Sequence, residues 1–446
     1  MVIIDKINGV IWGPIMLTLL IGTGIFLSAK IGFLQFGKFG YMLKKTILGV
    51  FSKEQHEKDT SGVSPFQAVA TAMAGTIGTG SIAGLATAIM SGGPGAVFWM
   101  WVSALLGMIT KYSEIVLSLK FREKNEKGEW VGGPMYYIKN GLNLKWLAAI
   151  FAVLAMAACL GIGNTTQSNS IAIALESTAG VAPWITGVVL TAIAAAVILG
   201  GMRRIASVNE KLVPFMAVFY VVCSLIALVI NFDKIPAAFA LIFKEAFNFK
   251  AAAGGGAGYG IMLAMHYGFS RGVFSNEAGL GSAPIAHAAS STKDPARQGL
   301  WGMFEVFFTT IVICTLSALV ILTSGIWSEG NFQGAALSIA SFNSIIPGVG
   351  GAIVTLSTIF FALSTILGWA YYGEVCAGFL TNKSKTAVLL YRCVYVLVVF
   401  VGAVGNLDVI WGISEALNGL MAIPNLIGIL GLHKVVKTAT KEHFGK

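Results

Sequence analysis

The residues best placed for chemistry in this chain are small, mostly uncharged and gathered in two glycine-rich stretches. Ala74-Gly75-Thr76-Ile77-Gly78-Thr79-Gly80-Ser81-Ile82-Ala83-Gly84 lies inside an apolar run long enough to cross a membrane, yet carries four glycines. Glycine costs about 1 kcal/mol relative to alanine inside a helix, and freed backbone groups in hydrocarbon cost several more, so a break here implies a cavity. A half-helix that begins at a break directs N–H groups and partial positive charge at it, and one that ends there presents carbonyls. The N–H groups and hydroxyls of Gly78, Thr79, Gly80 and Ser81 suit a carboxylate, with Thr76 a further contact to the same ligand. The carbonyls of Ala74, Gly75 and Ile77 suit Na+ without any fixed charge. An amino acid and a cation both fit such a site. The competing reading is that Gly80 and Gly84, spaced as GxxxG, only let two helices approach.

The second stretch, His266-Tyr267-Gly268-Phe269-Ser270-Arg271-Gly272-Val273-Phe274-Ser275-Asn276-Glu277-Ala278-Gly279-Leu280-Gly281, is again glycine-interrupted and again apolar in its surroundings. Two broken helices in corresponding halves are a sequence signature of a secondary transporter's binding site. Further polar groups lie at membrane depth. Asn164-Thr165-Thr166-Gln167-Ser168-Asn169-Ser170 forms an unbroken polar run that lipid would not tolerate, and Asn164, Gln167 and Asn169 can each accept from an ammonium and donate to a carboxylate. Ser364 and Thr365 follow Phe361 by one turn, so two hydroxyls and a carbonyl could offer three oxygens to a hard cation. Phe274 and Trp369 are the candidate walls of a small pocket. Among the intramembrane charges, Lys111 and Glu114 are three apart on one helix face and read as a structural pair, while Arg271 and Glu277 fall within the second break, where they could hold or gate it.

The elements that must position these groups are membrane helices. The chain has 446 residues, 56% of them hydrophobic and only 11% charged, far more apolar surface than a soluble core of that length could hide. A formal charge of +10 would suggest nucleic acid in a soluble domain. Here the basic residues sit in short loops between apolar runs, so they orient the protein in a lipid bilayer and no nucleic-acid partner is expected. The five cysteines each fall in an apolar span without a CxxC pair, which argues against both disulfides and metal clusters.

Apolar runs of about 20 residues predict an all-α integral membrane protein of about eleven spans, near 10–29, 66–91, 94–119, 147–176, 183–200, 212–230, 257–285, 299–324, 349–379, 388–405 and 409–432. A shorter segment over 331–346 reads as re-entrant or surface-lying. Alternate loops divide the 30 Lys and Arg unevenly: 23 fall in 30–65, 120–146, 201–211, 286–298, 380–387 and the tail from 433, against four on the opposite side. Cytoplasmic loops retain such residues, so the N-terminus is expected outside and the C-terminus inside. With the N-terminal span and loop over 1–60 set aside, ten spans divide into 61–235 and 236–446 within one transporter domain, a 5+5 inverted repeat with a broken helix first in each half.

Gly92-Gly93-Pro94-Gly95-Ala96-Val97-Phe98-Trp99-Met100-Trp101-Val102-Ser103, followed by Leu105, Leu106 and Gly107, resembles the characteristic motif of the sodium:alanine (alanine or glycine:cation) symporter family. Phe274-Ser275-Asn276-Glu277-Ala278-Gly279-Leu280-Gly281-Ser282-Ala283-Pro284 resembles the family's second hallmark. The resemblance implies a leucine-transporter-type fold and Na+-driven, in some members H+-driven, uptake of alanine or glycine across the cell membrane. It implies that Ala74-Gly75 and Gly78-Thr79-Gly80 form the first unwound segment, that Ser364 and Thr365 form a paired-hydroxyl sodium site, and that Phe274, Ser275 and Asn276 cover the substrate. Where the wider fold often has an asparagine after the glycine pair, this chain has Ser81, so one sodium ion is expected.

The expected function is therefore symport of Na+ with a small zwitterion by alternating access. The runner-up is a proton-coupled or uncoupled amino-acid exchanger on the same architecture. A membrane-embedded enzyme would need convergent His, Asp or Glu, and neither HExxH nor an acidic metal cluster occurs in the sequence.

Overall fold

A computed structural model describes residues 2–51, 62–248, 259–405 and 408–445. The beginning of the seventh expected span, 257–258, and most of the basic loop over 52–61 lie outside the described residues. The principal helices are α1 (Pro14–Ile31), α2 (Pro65–Thr76), α3 (Ala83–Gly92), α4 (Ala96–Lys120), α5 (Lys145–Leu160), α6 (Thr166–Ala179), α7 (Pro183–Ile198), α8 (Met202–Ile230), α9 (Tyr259–Asn276) and α10 (Ala283–Ala288). They continue as α11 (Pro295–Val306), α12 (Thr315–Ser324), α13 (Gly334–Ile345), α14 (Gly350–Leu380), α15 (Lys385–Val404) and α16 (Asp408–Gly431). Helix α13 is the short segment expected over 331–346. A two-stranded antiparallel hairpin, Glu123–Lys124 with Trp130–Val131, follows α4.

Among the described residues, eight helices are long and apolar enough to cross a bilayer, or nine when α2 and the helical segment after it are counted as one bent span. The expected eleven is reached only by adding α7, short at 16 residues, and the second interrupted helix, α9 with α10. Two wide π-helical turns, Gly161–Thr165 and Phe307–Cys314, join α5 to α6 and α11 to α12, so each pair continues as one long span. Helix α14, 31 residues and about 46 Å long, runs through the centre and packs on α2, α5, α6, α8, α13 and α15. Helix α4 packs chiefly on α9 and α11.

The first break forms where the glycines predict it. A capping box starts α2, Ser64 Oγ accepting from Gln67 N–H and Gln67 Oε1 from Ser64 N–H, with Pro65 in the first turn. The helix stops in an inverse γ-turn at Ile77 (φ −82, ψ 74), where Gly78 N–H reaches Thr76 O at 3.0 Å. A 3-10 turn, Thr79–Ser81, leads into α3, and the arms meet at 58°. Gly80 and Gly84 therefore do not share one continuous helix, and the simple GxxxG reading fails.

The second break is shorter and later than expected. Residues 266–276 are helical, and the chain unwinds only at Glu277, Gly279 and Gly281, with φ of 55, 92 and 82. The earlier glycines serve packing instead: a Cβ on Gly268 would lie 2.6 Å from Ala96 O, and one on Gly272 would lie 2.9 Å from Ser103 Oγ, both on α4. Arg271 consequently stands on a helix, paired with Glu415 at 2.9 Å, outside the break in which the sequence reading put it.

Candidate functional site

The first break, α14 and the π-turn after α5 border a small cavity of about 20 Å³, room for about one water molecule. Gly75, Thr76, Gly78 and Gly80 border it from the break, Gln167 and Ile162 from one side, and Thr365 and Trp369 from α14. Phe274 and Glu277 border it from the second broken helix and Asn418 from α16. The close approach needs glycine at two points. A Cβ on Gly78 would lie 2.7 Å from Thr365 Oγ1, and one on Gly80 would lie 2.7 Å from Phe274 Cδ1.

On one flank, Gln167 Oε1 lies 3.1 Å from Thr79 Oγ1 and 3.4 Å from Thr79 N, while its Nε2 donates to Ile162 O at 3.0 Å. The π-turn matters here, because its fifth-residue bonding pattern turns this side chain back along its own helix. On the other flank, four oxygens converge across the break. Thr365 Oγ1 lies 3.0 Å from Ala74 O and 2.9 Å from Phe361 O, and Ser364 Oγ lies 3.4 Å and 2.9 Å from the same two carbonyls. All four are buried, and neutral oxygens grouped this way form a ligand set suited to a hard cation once the hydroxyl protons rotate outward. Gly75 O is drawn elsewhere, accepting from Trp369 Nε1 at 3.3 Å. Ile77 is buried at the turn itself.

Other residues named from the sequence do not line the cavity. Asn164 turns to α15, where Nδ2 donates to Tyr395 O at 2.7 Å, and Asn169 reaches Gly405 O. Ser275 Oγ lies 3.3 Å from Ser81 Oγ and 3.2 Å from Cys314 Sγ, behind the break. Asn276 is buried, its Nδ2 on Thr310 and its Oδ1 accepting from Ala278 N–H. Each bonds a neighbouring backbone or side-chain group, the commoner fate of polar side chains inside helix bundles, although Asn164 Oδ1 stays buried without a partner.

Lys111 and Glu114 do not pair with each other. Lys111 Nζ crosses to Glu305 at 3.2 Å and to Asn276 O at 2.7 Å, capping the last turn of α9, while Glu305 accepts from Thr76 Oγ1 at 2.5 Å at the end of α2. Glu114 instead accepts from Gly279 N–H at 3.0 Å and Asn425 Nδ2 at 2.5 Å. One buried ion pair thus joins both interrupted helices. Beyond the breaks, Val63 forms a parallel bridge with Ser290, Val63 N–H donating to Ala289 O and Ser291 N–H to Val63 O. Glu277, Glu305 and Asn418 were not named as ligands from the sequence. The signal for Asn418 was a carboxamide in an apolar span, which it shares with Asn425.

The match to known proteins agrees with this geometry, since the sodium:alanine symporter family model covers residues 1–446. The chain belongs to that family. Within it, the chain is 49% identical over 446 residues to the sodium/alanine symporter AgcS of Methanococcus maripaludis, covering 98% of this chain and 96% of that protein. It is 37% identical over 441 residues to the probable sodium/glutamine symporter GlnT of Bacillus subtilis, covering 99% and 90%. Among solved structures, the substrate-bound outward-open state of a Na+-coupled sialic acid symporter superposes with a TM-score of 0.60 over 94% of this chain and 87% of that one, at 13% identity. That likeness speaks to the fold alone. The family member described here is thus a multi-pass membrane transporter with an interrupted-helix fold.

Proposed function

We propose that this protein couples Na+ to the uptake of a small neutral amino acid, alanine or glycine, across the cell membrane by alternating access. The observation that carries the reading is the convergence of Ala74 O, Phe361 O, Ser364 Oγ and Thr365 Oγ1 beside a small cavity bordered by Phe274 and Trp369. The oxygens hold one sodium ion. Thr79 and Gln167, with the backbone of Gly78 and Gly80, hold the substrate carboxylate, while the two aromatic rings limit side-chain size. The named activity of the 49% identical relative supports alanine over the glutamine named for the 37% identical one.

The halves 61–235 and 236–446 form the inverted repeat, and rocking of the bundle containing both breaks exposes the site to each side in turn. A zwitterion carries no net charge. One Na+ crossing about 100 mV supplies about 2.3 kcal/mol, and a tenfold gradient about 1.4 more, enough for roughly 500-fold accumulation.

Radiolabelled alanine uptake into proteoliposomes tests the reading. An inward sodium gradient should drive accumulation, and replacing sodium with choline should stop it. Uptake that persists in choline and follows an imposed proton gradient would establish the proton-coupled alternative. Gln167→Ala or Thr79→Leu should abolish saturable uptake, and unchanged uptake in both would remove these residues from the site.

A further inference from the structure

The polar border of the cavity is not complete with Thr79, Gln167 and the sodium ligands. Glu277 and Asn418 also border it, Glu277 from the second break and Asn418 from α16. Glu277 is 3% exposed, and its backbone takes φ 55, a left-handed conformation that costs a non-glycine residue on the order of 1–3 kcal/mol. Its carboxylate accepts from Trp369 Nε1 at 3.1 Å and Ser282 Oγ at 2.5 Å. Two donors use about half of a carboxylate's acceptor positions. Among the described residues no Lys, Arg or His lies within ion-pair distance of it, because Lys111 is committed to Glu305 and His287 lies against Glu305 and Gln298.

Charge counting sharpens the point. Lys111, Glu114, Glu277 and Glu305 are all 3% exposed or less, one permanent cation among three carboxylates. Asn418 adds an independent observation. It is 1% exposed, and its Oδ1 is buried without any hydrogen-bond partner, an arrangement that ordinarily costs on the order of 1–3 kcal/mol. An unpaired carboxylate and an orphan amide oxygen at the edge of one cavity form an acceptor-only pole. Thr79, across the first break, contributes the donors. A cavity polarised in this way is matched to a zwitterion whose charged groups sit on one carbon.

Building on the symport reading, we propose that Glu277 and Asn418 receive the α-ammonium group of the transported amino acid. The sodium ligands on Ala74, Phe361, Ser364 and Thr365 form a separate cluster, so ammonium and sodium have different seats. The substrate class that follows is primary α-amino acids with small side chains. Amine-free acids of the same size are excluded, because they leave Glu277 without a cation.

The test uses the purified full-length protein, reading labelled-alanine binding at saturating sodium and, separately, the sodium-induced rise in thermal stability without amino acid. Glu277→Gln should weaken alanine binding by about 30-fold or more, as expected when one partner of a buried charge pair is neutralised. Asn418→Leu should weaken it by about tenfold, the effect of one hydrogen bond to a charged group. Both variants should keep the parent's sodium-induced stabilisation. Equal alanine affinity in parent and Glu277→Gln would overturn the assignment and leave the symport reading standing, as would loss of the sodium response, which would make Glu277 an ion ligand. Unchanged affinity with a flattened pH dependence of uptake would make it a proton carrier and also overturn the assignment. A parent protein that binds no alanine at any sodium concentration would sink both readings. Should the variants not fold, competition on the parent decides: propionate in thousandfold excess should not displace alanine, and displacement at alanine-like concentrations overturns the proposal.

Discussion

The two interrupted helices solve one problem in opposite ways. At the first break, Thr76 to Ser81, the turn is glycine-rich and, apart from Thr76 Oγ1 on Glu305, its polar groups face a cavity or neutral side chains, with Ala74 O shared between two hydroxyls and Thr79 paired with a carboxamide. At the second, Glu277 to Ser282, two charged side chains and one carboxamide satisfy the backbone: Lys111 on Asn276 O, Glu114 on Gly279 N–H, and Asn425 on Gly279 O at 2.8 Å. A backbone held by neutral hydroxyls can exchange those partners for an ion at little cost, whereas one clamped by buried charges cannot. The first break is thus built to bind and release, and the second to hold its shape and present one carboxylate.

The largest effect should come from removing the clamp. Lys111→Met leaves Glu305 buried without its lysine and Asn276 O uncapped, and should cost about 3–5 kcal/mol of stability. Adding Glu305→Gln, which keeps hydrogen bonds to Thr76 and His287, should recover more than half of that loss. Thermal unfolding of detergent-solubilised protein followed by tryptophan fluorescence measures both. A single variant within about 0.5 kcal/mol of the parent would show that the clamp is dispensable and dissolve the contrast between the breaks.

The first break should respond in function more than in stability. Gly80→Ala puts a methyl group 2.7 Å from Phe274 Cδ1, and overpacking of this kind costs about 1–3 kcal/mol. Alanine uptake should fall about tenfold, and Phe274→Leu in the same chain should restore part of it by making room. If the pair is no better than Gly80→Ala alone, the ring is not what the glycine accommodates.

A smaller, more selective change is expected at the oxygen cluster. Thr365→Val keeps the shape and removes one ligand, so half-saturating sodium should rise by about tenfold while alanine affinity at saturating sodium stays near the parent's. Thr365→Ser should behave as the parent. Uptake titrated against sodium at fixed alanine reads this, and an unchanged sodium dependence would place the ion elsewhere.

The contrast between the breaks also explains what was legible in the sequence. Glycine beside threonine in an apolar run has no good use except a turn, so the first break could be read from Gly75 to Ser81 directly. The second could be recognised but not located, because Gly268 and Gly272 look like breakers and serve instead to let α9 lie against α4. Pairing was misread for a related reason. Lys111 and Glu114 share a helix face, yet their partners, Glu305 and Asn425, lie more than 190 residues away and no local spacing announces them. Asn164 and Gln167 were equivalent as residue types. Only the π-turn at Gly161–Thr165 and the neighbouring α15 backbone send one outward and the other to the cavity.

A third charge cluster, outside both breaks, supplies the control. Glu123, in the hairpin after α4, takes hydrogen bonds from Lys139, Lys383 and Asn140, each at 3.0 Å. Its partial burial alone would raise its pKa, but these donors outweigh that and hold it at about 2, below the ordinary 4.5. A carboxylate with a depressed pKa stabilises the fold fully above its unfolded value and loses that contribution as pH falls from about 4.5 toward 2. Glu123→Gln should therefore lower thermal stability equally at pH 7 and pH 6, by less than about 1 kcal/mol because the partners are a third exposed. The difference from the parent should shrink at pH 3.5. Unfolding scans of parent and variant at the three pH values measure it. A difference as large as that of Lys111→Met would mean that a solvent-facing network can clamp this fold as firmly as a buried one, and burial would no longer account for the rigidity of the second break.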